Sequence, residues 1–250
     1  MAAKPKSRLD ILITERGLVP SRERARALIL AGRVLVDGAA VTKAGTAVAT
    51  DAAVTLSEPD IPWVGRGGVK LAHALDTFQV DPSGREALDV GASTGGFTDV
   101  LLTRGAARVV ALDVGHGQLD WRIREDPRVV VLERRNAREM QPDWLPARVS
   151  LVVIDVSFIS LRLILPALPA VMEPGADVVA LVKPQFEAGR DEVGRGGLVM
   201  DTAIHDAVIE RVTTAAQELG FARLGMTPSA ITGATGNQEY FLHLRLDRQV

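Results

Sequence analysis

The run Asp89-Val90-Gly91-Ala92-Ser93-Thr94-Gly95-Gly96-Phe97 follows a β-rich stretch and opens a helical one. Glycines at such a junction allow a tight turn and let a ligand lie against the backbone. Asp113 ends the next β-rich stretch. An acid at that place can accept hydrogen bonds from both ribose hydroxyls of an adenosine. Two cofactor classes use this layout. A dinucleotide fingerprint needs Gly-x-Gly-x-x-Gly, and Ser93 stands where the middle glycine belongs. The pattern acid-x-Gly-x-x-x-Gly-Gly is met in full by Asp89, Gly91, Gly95 and Gly96. That pattern suits S-adenosyl-L-methionine, which has no pyrophosphate to cradle. A plain glycine-rich turn is the lesser reading, because the strand context and Asp113 agree with each other.

A second group of residues suits a polyanion. Residues 1–43 carry nine Lys and Arg against four Asp and Glu, a balance of +5. The whole chain has a formal net charge of −2, so the remainder carries −7. A basic end on a mildly acidic protein is the footprint of a nucleic-acid-binding module. Arg22 and Arg26 are four apart and share a helix face. Arg33 follows the helix end. With Arg8 and Lys43 they are expected to form a phosphate-binding patch, because a guanidinium fork matches phosphate oxygens. On charge alone the same residues read as a solvated surface.

Two units must position these groups. Residues 8–56 read as a compact α/β unit. Ser21 or Pro20 opens a helix that runs to about Ala31, with Ala25, Leu28 and Ile29 at helical spacing and Gly32 as a C-cap. Val34-Leu35-Val36 reads as a strand into an Asp37-Gly38 turn, with further short strands near Val41 and Val54. The first domain is placed at residues 1–58 and a proline-containing linker at 59–65, where Trp63 is expected to pack between the domains. From residue 66 onward, six Val-, Ile- and Leu-rich runs alternate with helical stretches: ALDVGA, RVVALDVG, RVVVLERR, SLVVIDVSF, DVVALVKP and EYFLHLRL. They show little alternation, which predicts a mostly parallel sheet covered on both faces. The second domain is placed at residues 66–250.

Composition narrows the function class. Cysteine is absent, which excludes disulfides, cysteine nucleophiles and cysteine-ligated zinc. The N-terminus lacks an apolar signal core, and the longest apolar stretch, Leu163–Met172, is short and holds two prolines. A membrane role is not expected, and the expected location is the cytoplasm. No His, Asp and Glu cluster has metal-ligand spacing, so no catalytic metal is expected.

The chain from residue 7 to about 246 resembles the TlyA (hemolysin A) family, in which an S4 RNA-binding domain precedes an FtsJ-like 2′-O-methyltransferase. The resemblance rests on RLD at 8–10, SRERARALILAGRVLVDG at 21–38, RGGVKL at 66–71, DVGASTGGFTDVLL at 89–102, ALDVGHGQL at 111–119, DVSFISL at 155–161, LVKPQFE at 181–187 and GNQEYFL at 236–242. It implies a Rossmann-like class I methyltransferase domain, S-adenosyl-L-methionine as cofactor and ribosomal RNA or a ribosomal subunit as partner. It also implies a Lys-Asp-Lys-Glu tetrad, which falls on Lys70, Asp155, Lys183 and Glu239. The implied substrate is the 2′-hydroxyl of a cytidine. The stop soon after LHLRLDRQV fits the branch acting on the large subunit alone. Two positions depart from the pattern. Gly65 replaces a usual serine and is expected to loosen the linker. His116 replaces a usual tyrosine and is expected to alter cofactor packing.

Methyl transfer to a ribose hydroxyl needs a base, because the hydroxyl is a poor nucleophile until its proton leaves. Lys183 is the expected base, since it follows the apolar run VVALV and precedes Pro184. Lys70 is expected to orient the hydroxyl and stabilise developing charge, Asp155 to position a lysine near the methyl group, and Glu239 to orient Lys70 or the ribose. Asn136, with Ala137 beside it, is a candidate adenine contact or a turn asparagine. Phe97 is expected to pack on the cofactor or to start the helix core. His205 and His243 read as structural or surface residues. Two competing readings remain: an RNA-binding protein with a non-catalytic methyltransferase-like domain, and a nicotinamide-dependent oxidoreductase, which Ser93 opposes.

Overall fold

The computed structural model describes residues 5–57 and 61–247. The chain divides into two compact units, Met1–Pro62 and Trp63–Val250. Residues 58–60, the expected end of the first domain and start of the linker, lie outside the described residues. Of the rest of the expected linker, residues 61–62 belong to the first unit and 63–65 to the second.

In the first unit, β1 (Lys6–Arg8) runs into α1 (Leu9–Glu15), followed by α2 (Arg22–Leu30), β2 (Val34–Val36), β3 (Ala39–Ala40), β4 (Ala47–Ala49) and β5 (Val54–Leu56). Ser21 caps α2 by accepting the Arg24 N–H. Gly32, at φ +70°, turns the chain out of the helix, and Arg33 N–H closes back on the Leu28 carbonyl at 2.9 Å. Asp37 (φ +50°) and Gly38 (φ +83°) make the two-residue turn joining β2 to β3, a conformation that suits the strand twist. β1 pairs with β4, and β2 pairs with β3 and β5. Leu9, Leu12, Ile13, Ala25, Leu28 and Ile29 bury the inner faces of α1 and α2 against Val34, Val48 and Val54. The expected helix and strands are present, and β1, α1 and β4 were not expected.

The second unit contains α3 (Gly67–Phe78), β6 (Glu86–Val90), α4 (Gly96–Thr103), β7 (Arg108–Asp113), α5 (Trp121–Arg124), β8 (Val129–Glu133), β9 (Val149–Ile154), β10 (Met172–Val182), α6 (Pro184–Glu187), α7 (Thr202–Glu218), β11 (Phe221–Pro228) and β12 (Tyr240–Leu246). The sheet order is β11-β12-β10-β9-β6-β7-β8. Strands β6 to β10 run parallel, and β12 runs antiparallel to both its neighbours. Leu88, Val110, Val152 and Val178 face a core closed by α7, while Ala87, Val109, Leu151 and Val179 face one closed by α3 and α4. Burial on both faces explains why the strand sequences do not alternate. His243 Nε2 donates to Asp177 Oδ1, 2.9 Å away, and His205 bridges the Tyr240 hydroxyl and the Val199 carbonyl. Both histidines are buried and structural.

Trp63 lies against Gly68, where an added Cβ would stand 2.3 Å from the indole. It packs on the core beneath α3. Val64 N–H donates to Asp99 Oδ2 at 2.8 Å. Gly65 is pressed against the glycine-rich turn, where an added Cβ would meet Thr94 Oγ1 at 2.7 Å. The glycine therefore gives close packing at this position rather than a looser linker.

Candidate active site

Strand order reverses at β6: the chain steps outward through β7 and β8, then returns to place β9 on the other side. The crevice beyond the carboxyl ends of β6 and β9 is where open α/β sheets take ligands. Gly91 leaves β6 at φ +86°, and a Cβ there would lie 2.4 Å from the Asp155 carbonyl oxygen after β9. Only glycine fits that approach. Ser93, at φ +48°, donates its backbone N–H to Asp113 Oδ2 at 2.8 Å, and Gly115 N–H donates to Oδ1 at 2.7 Å. Asp113 thus ties the turn to the end of β7.

A cleft of about 560 Å³ opens here. Val90, Leu112, Ala137, Val156 and Ile164 line it, with Ser93, Asp113, Asn136 and Asp155 as its polar groups. The volume and the few convergent polar groups match a small-ligand site. A smaller cavity adjoins Gly91 and Ser93 and is bordered by Gly67, Asp155, Ser157 and Lys183. The residues fit S-adenosyl-L-methionine: apolar walls can take the adenine and the Asp113 carboxylate can take the ribose hydroxyls. Asp155 Oδ1 is buried with no hydrogen-bonding partner. Asn136 lines the cleft, but its side chain accepts the Arg138 N–H and caps a turn.

Two expected cofactor residues, Asp89 and Gly95, stand elsewhere, whereas Phe97 borders the smaller cavity. Asp89 is fully buried behind the turn, where Oδ2 accepts the Thr98 hydroxyl at 2.6 Å and Oδ1 has no partner. Burial pushes its carboxyl up to about 7, with the Thr98 hydrogen bond opposing. Gly95, at φ +94°, faces away from the cleft; a Cβ there would meet Leu119 at 2.9 Å. Phe97 is buried in the core, its ring 6.1 Å from that of Phe241. Gly96 borders the smaller cavity, and its Cα approaches Gly68 closely enough to bar a side chain.

The four expected catalytic residues form two ion pairs. Lys183 Nζ stands 2.6 Å from Asp155 Oδ1, without hydrogen-bond geometry, and donates to Ser157 Oγ at 2.9 Å. Lys70 Nζ donates to Glu239 Oε2 at 2.5 Å. Topology explains the convergence. Asp155 and Lys183 follow the last residues of parallel neighbours β9 and β10. Glu239 precedes β12, whose Tyr240 pairs with Val182, so Glu239 arrives beside Lys183. Lys70 is on α3, one turn after Gly67, where a Cβ would lie 3.8 Å from Asp155 Oδ2. Each lysine has its own carboxylate, Glu239 for Lys70 and Asp155 for Lys183.

In the small unit, Arg8, Arg22 and Arg26 converge on one carboxylate, Asp10. Lys43 is exposed, and Arg33 sits where the chain leaves α2. Asp10 and Ser157 were quoted within motifs and given no role, since Ser157 meets Lys183 only through the fold and two of the three arginines at Asp10 lie on α2. Glu187 was also missed. It is buried, which raises its carboxyl, and it holds the segment after β9 through Ser160 Oγ and Leu161 N–H, both at 2.6 Å. Phe158 in that segment has φ +63° and is 91% exposed, with its ring 5.0 Å from Phe186. Among the described residues no helix is long and apolar enough to cross a membrane.

Comparison with known proteins adds to this geometry. An S4 domain model matches residues 7–54, and an FtsJ-like methyltransferase model matches residues 63–246. The chain is 51% identical to the 16S/23S rRNA (cytidine-2'-O)-methyltransferase TlyA of Mycobacterium tuberculosis, over 96% of this chain and 90% of that protein. It is 32% identical to the 23S rRNA (cytidine-2'-O)-methyltransferase TlyA of Campylobacter jejuni, over 72% of this chain and 70% of that one. A solved structure described as a hemolysin from Streptococcus thermophilus superposes with a TM-score of 0.76 at 44% identity, covering 98% of this chain and 90% of that one.

Proposed function

The chain belongs to the FtsJ-like methyltransferase family, in the TlyA branch that carries an S4 domain, and we propose that it transfers a methyl group from S-adenosyl-L-methionine to the ribose 2′-hydroxyl of a cytidine in 23S ribosomal RNA. One observation carries the reaction class: the Lys183–Asp155 pair borders the cavity that adjoins the cleft, and a second pair, Lys70–Glu239, from distant parts of the chain arrives beside it through α3 and β12. The names of both TlyA relatives include the large-subunit RNA, which supports 23S over 16S as the substrate. A ribosomal substrate places the reaction in the cytoplasm.

Bound S-adenosyl-L-methionine would supply an electrophilic methyl group on a sulfonium. The protein must supply a deprotonated hydroxyl. Lys183 borders the smaller cavity and, once it has released its own proton, takes the hydroxyl proton on Nζ, while its hydrogen bond to Ser157 and its closeness to Asp155 hold the amine in place. Lys70, steadied by Glu239, stabilises the charge that develops on the ribose oxygen. Asp113, Asn136 and Ala137 hold the adenosine, and the glycine turn at Gly91 lets the donor lie close to the backbone. Arg8, Arg22, Arg26, Arg33 and Lys43 bind RNA phosphates. Both ion pairs are complete, which opposes a non-catalytic RNA-binding scaffold.

Mass-spectrometric mapping of ribose methylation in ribosomal RNA, with and without the gene, tests this reading. The expected outcome is loss of a 2′-O-methylcytidine from 23S RNA. An unchanged map would refute it.

A further inference from the structure

We propose that Asp10 is a positioning residue for RNA: its carboxylate gathers Arg8, Arg22 and Arg26 into a single fork that receives one backbone phosphate. The inference rests on the reading that the small unit binds RNA.

The geometry is convergent. Arg8 donates from Nε to Asp10 Oδ1 and from Nη2 to Oδ2, both at 3.0 Å. Arg22 Nη2 and Arg26 Nε each donate to Oδ2 at 3.3 Å. These residues come from three elements: Arg8 ends β1, Asp10 sits in the first turn of α1, and Arg22 and Arg26 stand one turn apart on α2. The Asp10 side chain has no exposed surface, whereas the three arginine side chains are 49%, 51% and 55% exposed. The acid faces inward and the cations face water. A guanidinium carries five N–H donors, so most donors of all three arginines remain for a ligand outside.

Charge and order both favour a phosphate. The cluster sums to +2, and the carboxylate is held far below its ordinary range, first by the Arg8 hydrogen bonds. It therefore stays ionised at any working pH. Without it, three guanidinium groups in one place would repel one another and spread. Gly45 supplies the floor, since an added Cβ there would stand 3.4 Å from Arg8 Nη1. Ordering three long side chains before RNA arrives removes an entropic cost from binding.

This leads to a result opposite to charge counting. Asp10→Asn makes the unit more positive, so a diffuse basic patch would bind RNA more tightly. A built fork would bind RNA less tightly. The test measures binding of the full-length protein to a 23S RNA transcript across a salt series, with hydrogen-exchange protection of α1 and α2 as the control for folding of the small unit. Asp10→Asn is expected to weaken RNA binding about tenfold and to flatten the salt dependence by about one lost phosphate contact. Arg8→Lys keeps every charge but loses the two-pronged grip on Asp10, and it is expected to weaken binding several-fold. Wild-type or tighter RNA binding by a folded Asp10→Asn protein overturns the inference. If Asp10→Asn does not fold, wild-type binding by Arg8→Lys overturns it instead. Charge reversal of Arg22 and Arg26 to Glu separates the two levels of the argument. If reversal leaves RNA affinity unchanged, the small unit is not the RNA anchor. If reversal weakens binding while Asp10→Asn and Arg8→Lys do not, only the role of Asp10 falls.

Discussion

Replacing Lys70 by Met leaves the Glu239 carboxylate, with a side chain 3% exposed, without its ammonium partner. Little relaxation is open to it, because a Cβ at Gly233 would already stand 2.6 Å from Oε1. Stranding one member of a buried ion pair costs about 3–5 kcal/mol, whereas removing both members is near neutral. Lys70 is itself 10% exposed, so the lower end applies, about 3 kcal/mol. For a unit of this size, each kcal/mol lowers Tm by about 2–4 °C, so Lys70→Met is expected to melt about 6–12 °C below the wild type. The double variant Lys70→Met, Glu239→Gln is expected to recover most of that loss and to remain inactive. Scanning calorimetry reads the first quantity, and single-turnover methylation of a 23S RNA transcript reads the second. A single variant melting within about 2 °C of the wild type would refute the buried-pair argument. A stable double variant with near-normal turnover would show that the pair is structural and that catalysis lies with Lys183 alone.

Lys183→Arg keeps the charge beside Asp155 but cannot accept a proton, so single-turnover rates are expected to fall by about 10²–10⁴-fold; a near-normal rate would mean that Lys183 serves only as a cation. Asp113→Ala is expected to weaken S-adenosyl-L-methionine binding by about 1.5–3 kcal/mol in calorimetry, and unaltered affinity would remove Asp113 as the ribose ligand. Asp89 gives a pH prediction. The unfolded aspartate titrates at about 4, and in the fold burial raises it to about 7, so between these values the folded protein holds a proton that the unfolded chain has released. Stability attributable to Asp89 is therefore full at the acid end, falls as pH rises towards 7 by up to about 4 kcal/mol, and is level above that. Chemical denaturation of the wild type and Asp89→Asn from pH 5 to 8 should show a slope difference of this sign, and parallel curves would refute it.

The six apolar runs in the sequence correspond to β6, β7, β8, β9, β10 and β12, because burial on both sheet faces leaves an unbroken Val, Ile and Leu signature. β11 left no such signature. It is the edge strand, Leu224 and Met226 face solvent, and its register shifts between Arg223 and Gly225. The lysines and acids of the site, and a role for Glu239 toward Lys70, came from the family resemblance; spacing alone could not give them, since Lys70 and Glu239 meet across most of the chain and only sheet order brings them together. Asp89 shows the opposite limit. Its spacing from Gly91 matched a cofactor pattern, but spacing cannot say whether a strand-end carboxylate points into a cleft or behind it. Asp10 was invisible as an organiser because two of its three arginine partners, Arg22 and Arg26, lie on another helix.

The position of β12 has a consequence for the moment at which activity begins. The strand is the last in sequence, and it lies inside the sheet, between β10 and β11. Glu239 enters with it. During synthesis, the segments bearing Lys70, Asp155 and Lys183 emerge first and can begin to collapse, yet β11 has no neighbour to join and Lys70 has no counterion until the final segment arrives. Long-range closures of this kind come late in folding. A chain that breaks off before β12 would therefore leave Lys70 without its carboxylate and β11 without a neighbour, however well its small unit had folded.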